Sequence, residues 1–444
     1  MSASRLSNET LAVARATIPS YDRGVPPRIV HLGVGAFFRA HLGTYSDDLL
    51  QQGWPATIRG ISLRSQTAQQ QLQPQDCLYT VEEREPADAL PLRVVGALTS
   101  IASGSDAAIE AIAAPETSMV TLTVTEKAYD ESSPVANLLV DALERRRALG
   151  LPSPLVAPLD NLLRGGSLLR SRVMAAAASA SAAWIEREVP FVNSVVDRMV
   201  PATTDSDRQR IAAALGLVDD AAVCAEHYRS WVIEQHDDLP PLGDVGVEMV
   251  ADIEPFERRK LWLLNAPHSA LAYLGLLTGC DTIAQAIAHP RVLVVVRALV
   301  ADILHAAQFP APMCAEAFAG SALRRFENPL LGHTCVQVGA DGSRKLQQRL
   351  LPVVHIALRQ GRPIDRLALV VAAWICAAAG RSVRGEALPA VDDPLGSELR
   401  AAGDVNSVVR TALGDDVDRH FGAAVVLAVQ TLERDGAAAL EAAA

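Results

Sequence analysis

Strand signals are distributed unevenly along this chain of 444 residues, and this distribution constrains the fold more than any other feature. Short runs of β-branched and apolar residues recur in the first part, and the clearest is Met119-Val120-Thr121-Leu122-Thr123-Val124-Thr125. Over residues 256–412 such runs almost vanish, and segments with helical periodicity follow one another. We therefore predict an α/β domain over residues 1–250 and an all-helical domain over residues 251–444.

A strand followed by a glycine turn opens the first domain. Arg28-Ile29-Val30-His31-Leu32 is short and apolar, and it runs directly into Gly33-Val34-Gly35. Glycines at this point let the backbone approach a pyrophosphate at the start of the helix predicted over residues 36–52. Phe38 stands where the G-x-G-x-x-G fingerprint has its third glycine, so the fingerprint is a modified one. Gly33, Gly35 and Phe38 are thus candidate cofactor residues of a Rossmann-like domain with a mainly parallel sheet.

Further cofactor candidates follow the predicted strands. Arg39 lies in the first turn of the next helix, where it could contact a phosphate or instead pair with Asp47 or Asp48. Thr125 and Glu126 are delivered by a strand to the carboxyl edge of the sheet, where ligands bind in open α/β folds.

Arg64 ends the segment that begins with the strand predicted over residues 57–63. An acid near this point would hold the ribose 2′-hydroxyl of NAD, whereas an arginine can accept the 2′-phosphate of NADP. The residues by themselves leave this choice open.

Residues 254–269 set a lysine, an amide and an imidazole into an otherwise apolar run. On a helix that turns about 100° per residue, Asn265 lies roughly 140° and His268 roughly 80° from Lys260, so all three can face one way. Burial lowers the pKa of a lysine and lets it act as a base, and an amide can stabilise a developing alkoxide. Pro267 should kink or restart the helix just before His268. The alternative is a solvated lysine beside a satisfied core amide and imidazole.

Composition and charge exclude several classes of partner. The formal net charge of −11 argues against nucleic acid or an anionic membrane as the main partner. No apolar run reaches the ~18 residues that a membrane span needs, and the N-terminal residues lack a signal-peptide core, so we expect a cytoplasmic protein. The ten histidines form no HExxH or HxH pattern and the six cysteines lie far apart, so we expect free thiols and no protein-bound metal.

Several short motifs, each modest alone, occur in a specific order along nearly the whole chain. They are His31-Leu32-Gly33-Val34-Gly35-Ala36-Phe37-Phe38-Arg39-Ala40-His41, Gly60-Ile61-Ser62-Leu63-Arg64-Ser65, Thr125-Glu126-Lys127-Ala128-Tyr129, Val196-Asp197-Arg198, the Lys260, Asn265 and His268 segment, Arg325-Phe326-Glu327-Asn328-Pro329, and Asp341-Gly342-Ser343-Arg344-Lys345. Together they resemble the polyol-specific long-chain dehydrogenases, the mannitol dehydrogenase family, which includes fructuronate reductase (mannonate oxidoreductase).

The resemblance implies a metal-independent oxidoreductase that uses NAD, with NADP not excluded, and that acts as a monomer. It makes Lys260 the general base, and it carries the family's amide and imidazole to Asn265 and His268. Asn193, just before the Val-Asp-Arg motif, becomes the other amide of the oxyanion site. Lys345 becomes a substrate contact.

The expected partner is a small sugar acid or sugar alcohol. The segment Gly332-His333-Thr334-Cys335-Val336-Gln337 resembles the fructuronate reductase branch, and His333 with Lys345 could surround a carboxylate. Asn161 is a further substrate candidate, in Pro158-Leu159-Asp160-Asn161, where relatives often have Ser-Cys-Asp-Asn. We therefore expect interconversion of D-mannonate and D-fructuronate. The alternatives are a mannitol- or arabinitol-type polyol 2-dehydrogenase and a non-catalytic dinucleotide-binding protein.

Overall fold

The computed structural model describes residues 4–86, 90–124, 126–130 and 133–442, except for the side chains of residues 126, 127, 312 and 442. The chain divides into two compact units, Met1–Glu254 and Pro255–Ala444, and we refer to them as the first and the second unit. The first unit contains the strands β1 to β11: Ile29–Leu32, Ile58–Ser62, Tyr79–Arg84, Arg93–Val95, Leu98–Ser103, Met119–Leu122, Leu155–Pro158, Ser194–Asp197, Val223–Glu226, Ser230–Glu234 and Glu248–Val250. It also contains the helices α1 to α8: Ala36–Ala40, Leu42–Gln51, Thr67–Leu72, Ser105–Ile112, Pro134–Ala148, Gly165–Ala176, Ser179–Glu188 and Asp205–Leu215.

A five-stranded parallel sheet in the order β5-β2-β1-β6-β7 forms the centre of the first unit. Strand β1 lies in the middle, with Ile29 aligned to Ile58 of β2 and to Met119 of β6. Both faces of β1 are buried, because Ile29 packs in one apolar cluster while Val30 and Leu32 pack in another. This explains why the strands are continuously apolar rather than alternating, and it confirms the predicted Rossmann-like architecture.

Two smaller sheets complete the first unit. One has the order β4-β3-β9, and the other has the order β11-β10-β8. In the second of these, β8 runs antiparallel to β10, with Ser194 aligned to Ile233. The start of β8 therefore lies beside the end of β10, which places Asn193 next to Glu234.

The second unit is helical, as predicted. Its helices α9 to α21 are Glu254–Lys260, Ala266–Leu277, Ile283–Ala288, Pro290–Ala307, Ala315–Phe326, Cys335–Gly339, Gly342–Arg349, Leu351–Arg359, Asp365–Ala379, Gly396–Ala401, Val405–Leu413, Arg419–Asp435 and Ala439–Ala442. Helix α17 is central, since every residue from 367 to 379 is buried, as is typical of a helix that is apolar on all sides. The strands in the described part of this unit are β12 (Ser382–Val383) and β13 (Glu386–Ala387), which form a two-stranded antiparallel sheet.

Two features predicted from composition can be compared with this fold. All six cysteines are free thiols, and Cys77, Cys224, Cys335 and Cys376 among them are buried. Among the described residues, no helix has the combination of length and apolar character needed to cross a membrane.

Candidate active site

The glycine turn after β1 is tightly packed on one side and open on the other. Gly33 has a φ of +102°, and a Cβ there would lie 2.1 Å from the carbonyl oxygen of Thr123, so only glycine fits. Gly35 has an extended backbone, and a Cβ at this position would meet none of the described residues within 4 Å. The turn is therefore held against the sheet at Gly33 and leaves free space at Gly35, as a pyrophosphate that approaches the backbone requires.

A buried histidine on β1 supports this turn. His31 is fully buried, and its Nε2 atom lies 2.9 Å from the Thr123 hydroxyl and 3.2 Å from the Gly33 carbonyl oxygen. Its Nδ1 atom lies 2.8 Å from the Thr121 hydroxyl. The ring also stacks on Phe38, with 4.1 Å between the ring centroids. Sequence reasoning missed His31, although an imidazole in an apolar strand directly before the glycines was a visible signal.

Phe38 therefore supports the turn as a buried residue that packs on His31. Its side chain is only 1% exposed, so the prediction that Phe38 contacts a cofactor finds almost no surface to support it. A third glycine would allow close packing of helix and strand, whereas here an aromatic ring stacked on His31 fills that space.

Burial of His31 makes a prediction about acid stability. Burial lowers the pKa of His31 to about 3, from 6.5. Below pH 6.5 His31 binds a proton in the unfolded chain, whereas in the folded chain it binds one only near pH 3. Over this window His31 thus subtracts up to ~1.4 kcal/mol of stability per pH unit as the pH falls. We expect His31→Gln to flatten the loss of urea stability between pH 6.5 and 4. The exposed His420→Gln variant is the control, and equal slopes in wild type and His31→Gln would contradict this account.

The helix predicted over residues 36–52 is interrupted. Helices α1 and α2 meet at His41, whose backbone has φ −107° and ψ −86°. The His41 ring is fully buried, stacks on Phe37 and bonds through Nε2 to the carbonyl oxygen of Ser230. We attribute the interruption to these contacts, which hold the histidine out of helical geometry.

The predicted pairing of Arg39 with Asp47 or Asp48 is wrong, and its phosphate contact stays a prediction. The acids Asp47 and Asp48 pair with Arg93 instead, and Asp48 pairs with Arg229 as well. The guanidinium of Arg39 is nearly buried and donates to the carbonyl oxygens of Gly35 and Ala221. Arg39 thus connects the glycine turn to the residues just before β9.

The other cofactor candidates lie after the ends of strands. Arg64 is exposed, two residues beyond the end of β2, so its role at a ribose stays a prediction. Thr125 lies outside the described residues, and so does the side chain of Glu126, which begins a short 3₁₀ helix. Asn161 is exposed in the loop after β7, and its substrate contact also stays a prediction.

Asn193 directly precedes β8, and its side-chain amide makes three hydrogen bonds. Its Oδ1 atom accepts from the backbone N–H of Ser167 at 2.9 Å. Its Nδ2 atom donates to Glu234 at 2.9 Å and to the Ser167 hydroxyl at 3.1 Å. Asn193, Ser167 and Glu234 all line a cavity of about 750 Å³ in the first unit.

In the second unit, Lys260 and Asn265 are separated by a π-helical turn. Helix α9 ends at Lys260, a π segment spans Leu261–Asn265, and α10 begins at Ala266. Pro267 has no N–H to donate back to Leu263, which favours the wider i→i+5 hydrogen bonding of a π turn. Residues five apart lie on one face in this geometry, so Lys260 and Asn265 come closer to one face than a regular helix would bring them. The restart before His268 was predicted, and the π geometry was not.

Two buried polar atoms in this segment have no hydrogen-bond partner among the described residues. Within the part of the chain that the structure describes, neither Asn265 Nδ2 nor His268 Nε2 has a hydrogen-bond partner. Burying an unsatisfied polar atom costs on the order of 1–3 kcal/mol, so native proteins rarely keep one without a reason. The alternative of a fully satisfied core amide and imidazole does not fit these two atoms. Their positions fit a ligand that supplies hydrogen-bonding oxygens.

His268 is surrounded by positive charge. Burial lowers its pKa well below the usual 6.5, and His333, Arg349, Lys345 and Arg325 lower it further. His268 is therefore a neutral imidazole at physiological pH. Its ring stacks on Phe326 at 4.7 Å between centroids, and the ring of His333 lies 6.0 Å away.

Arg349 was not recognised from the sequence. Its Nη1 atom donates to the Ser269 hydroxyl at 2.9 Å and to the carbonyl oxygen of Asn265 at 3.3 Å. Arg349 lies four residues after Lys345 on α15, a spacing that places two side chains on one helix face. This spacing was the signal that could have identified it.

Helix α15 is anchored at its start by hydrogen bonds to Asp392 and Asp393. The backbone N–H of Ser343 donates to Asp393 Oδ2 at 2.9 Å, and Trp374 donates to the same oxygen at 3.0 Å. The N–H of Asp341 donates to the carbonyl oxygen of Asp392 at 2.8 Å. The structure thus joins the Asp341 to Lys345 motif to the residues around Asp393.

No group of three or more His, Cys, Asp or Glu side chains among the described residues is arranged to hold a metal ion.

Comparison with known proteins decides the family. The family model for the mannitol dehydrogenase Rossmann domain matches residues 27–240, and the model for the mannitol dehydrogenase C-terminal domain matches residues 252–418. The chain belongs to the mannitol dehydrogenase family. It is an oxidoreductase of the kind that acts on CH–OH groups, and the alternative of a non-catalytic dinucleotide-binding protein is set aside.

Members of the mannitol dehydrogenase family with different substrates resemble this chain about equally. It is 35% identical to D-mannonate oxidoreductase of Escherichia coli (strain K12), covering 97% of this chain and 98% of that protein. It is 33% identical to mannitol 2-dehydrogenase of Pyrenophora tritici-repentis (strain Pt-1C-BFP), covering 98% and 85%. The solved ternary complex of Pseudomonas fluorescens mannitol 2-dehydrogenase with NAD and D-mannitol has a TM-score of 0.89 and 28% identity over 99% of both chains.

Proposed function

We propose that this protein is an NAD-dependent oxidoreductase that interconverts D-mannonate and D-fructuronate in the cytoplasm. The observation that carries the proposal is the cluster of Lys345, Arg349 and Arg325 near the neutral His268. In it Arg349 bonds to Ser269 and to the backbone of Asn265, beside the unsatisfied Asn265 Nδ2 and His268 Nε2 atoms. This cluster offers positive charge and hydrogen-bond donors together, which suits an anionic sugar acid.

The first unit would hold the cofactor. The free space at Gly35 and the rigid packing of Gly33 suit the pyrophosphate of NAD. Arg64 would reach the adenosine ribose, where its charge is also compatible with a 2′-phosphate, so NADP is the alternative cofactor. When bound, the nicotinamide ring supplies the hydride acceptor for oxidation and the hydride donor for reduction.

Lys260 is the proposed general base. In the oxidation direction an uncharged Lys260 would take the hydroxyl proton of the alcohol as the carbon gives up its hydride. The amides of Asn265 and Asn193 would donate to the oxygen while negative charge builds on it. The unsatisfied Nδ2 of Asn265 supports this role, because it is a buried donor that has no hydrogen-bond partner among the described residues.

His268 would act as a neutral hydrogen-bonding group. Since burial and nearby positive charges keep its pKa well below 6.5, it stays uncharged in the working pH range. A neutral imidazole can bind a substrate hydroxyl through Nε2 without adding charge beside Lys260. The second proposed function, a mannitol- or arabinitol-type polyol 2-dehydrogenase, uses the same groups, because lysine and arginine donate to hydroxyls as well as to carboxylates.

A substrate panel tests the proposal and supplies a prediction about Lys345. Reduced-nicotinamide absorbance would be followed with mannonate, fructuronate, mannitol and arabinitol. We expect the sugar acids to react with the higher kcat/KM. We also expect Lys345→Ala to raise KM for the acids by roughly 10-fold to 100-fold, because a hydrogen bond to a charged group contributes about 1.5–3 kcal/mol. The effect on KM for a neutral polyol should be smaller.

Arg344→Ala is the matched control, since Arg344 is the exposed neighbour of Lys345 on the same helix. Its removal takes away one positive charge and should leave both KM values near wild type. Strong turnover of a neutral polyol with none of mannonate would reverse our order of substrates. No turnover of any member of the panel would overturn the proposed function.

A further inference from the structure

We propose that Glu234 is a positioning residue for the reaction, and that it acts by holding the amide of Asn193 in the orientation that donates to substrate. This inference rests on the proposed function, in which Asn193 donates to the reacting oxygen. Nothing in the spacing of the sequence links the two residues, which lie 41 positions apart.

The carboxylate of Glu234 accepts two hydrogen bonds from Asn193. Its Oε2 atom accepts from the backbone N–H of Asn193 at 3.1 Å and from the side-chain Nδ2 at 2.9 Å. The backbone N–H of Glu234 in turn donates to the carbonyl oxygen of Asn193 at 3.0 Å. Both the main chain and the side chain of Asn193 are thereby fixed relative to the end of β10. A charged acceptor makes these bonds stronger than neutral ones.

The other end of the amide is fixed by helix α6. Asn193 Oδ1 accepts from the N–H of Ser167, which lies in the first turn of α6 and has no partner inside the helix. Helix α6 and the amide come close together because residue 166 is glycine. A Cβ at this position would lie 2.3 Å from the carbonyl oxygen of Val192. With its oxygen on the helix and its nitrogen on Glu234, the amide has one allowed orientation and cannot flip.

One proton of Asn193 Nδ2 is left on a weaker, neutral acceptor. The Ser167 hydroxyl oxygen accepts from Nδ2 at 3.1 Å, and a neutral acceptor is exchanged for a substrate oxygen more readily than the charged carboxylate of Glu234 is. Asn193, Ser167 and Glu234 line the same cavity, so a substrate oxygen entering there would find this proton. The helix terminus at Ser167 polarises the amide in the direction that strengthens such a bond. Glu234 thus holds one proton of the amide so that the other can be donated to substrate.

A double-mutant cycle tests whether Glu234 acts through Asn193. Asn193→Ala and Glu234→Ala should each lower kcat on the order of 10²-fold, as for loss of one oxyanion donor. The double variant should be no slower than Asn193→Ala alone, because a residue that only positions an amide has no effect once the amide is gone. Glu234→Gln should recover most of kcat, since its amide oxygen can accept the same two bonds. The KM for NAD should be unchanged in all of them.

Glu248→Ala is the matched control, because Glu248 is an exposed carboxylate on β11, which pairs with β10 in the same sheet, and it does not belong to the lining of this cavity. It should leave kcat near wild type, and melting temperatures of every variant report any loss of folding. Additive losses in the cycle, or a Glu234→Gln variant as slow as Glu234→Ala, would overturn the inference while leaving the proposed function intact. An inactive wild type across the substrate panel would instead remove the proposed function, and this inference with it.

Discussion

Lys260→Ala is expected to lower kcat by several orders of magnitude, about 10³-fold to 10⁴-fold, the upper part of the range for general acid–base catalysis. Lys260 ends α9 immediately before the π turn that carries Asn265, and the turn at Gly33 and Gly35 belongs to the first unit. The dissociation constant for NAD should therefore stay near wild type. Turnover is measured by reduced-nicotinamide absorbance and cofactor binding by calorimetry. The contrast between a large loss of kcat and unchanged binding identifies a chemical role.

Three further measurements separate a base from a merely charged residue. Turnover in the oxidation direction should fall on the acid side as Lys260 gains its proton, and small added amines should partly restore the rate of Lys260→Ala. Asn265→Ala should cost less, on the order of 10²-fold, because an amide cannot accept the proton. Arg258→Ala removes an exposed charge from the same helix and serves as the control. Near-normal turnover of Lys260→Ala with an unchanged pH profile would place the base elsewhere.

The segment from Lys260 to His268 shows what periodicity can and cannot predict. Residue types identified Lys260, Asn265 and His268 because polar groups in an apolar run need a reason to be there. Their relative directions were predicted on a regular helix and were wrong in detail, because a π turn lies between Lys260 and Asn265. Whether a helix forms a wider π turn at one position depends on the tertiary packing around it. Proline at position 267 was the one local signal of this change.

In the first unit the strand and the glycine turn were predicted, while the burial of two side chains near them was not. Phe38 and Arg39 were expected to face a ligand, and both are buried against the turn instead. Spacing from a glycine does not reveal which side of a helix meets the sheet. The contacts that decide this come from distant residues, such as Ala221 beneath Arg39.

Charge clustering was also invisible in the sequence. Arg325, Lys345 and Arg349 belong to separate helices or to different turns of one helix, and their effect on His268 arises only when α10, α13 and α15 pack together. A chain with a net charge of −11 can thus carry a strongly positive local site. Net charge constrains long-range attraction and says little about one pocket.

Gly33→Ala is expected to destabilise the fold, whereas Gly35→Ala is expected to keep the fold and weaken cofactor binding. A Cβ at Gly33 would lie 2.1 Å from the backbone oxygen of Thr123 and would be forced into a φ of +102°, so the variant should be strongly destabilised and lose the turn. A Cβ at Gly35 meets nothing within 4 Å of protein, so the fold should persist. The poorer N-cap of alanine is partly offset by reduced freedom of the unfolded chain.

The cofactor is where Gly35→Ala should show its effect. If the pyrophosphate of NAD occupies the space beside Gly35, a methyl group there must displace it, and the dissociation constant should rise by about tenfold or more, equal to about 1.4 kcal/mol. Gly403→Ala is the matched control, because a Cβ there also meets nothing within 4 Å and its residue lies in the second unit. Melting temperature and calorimetric binding are measured on all three variants. Wild-type affinity in a folded Gly35→Ala protein would show that the pyrophosphate lies elsewhere, and the open side of the turn would then need another explanation.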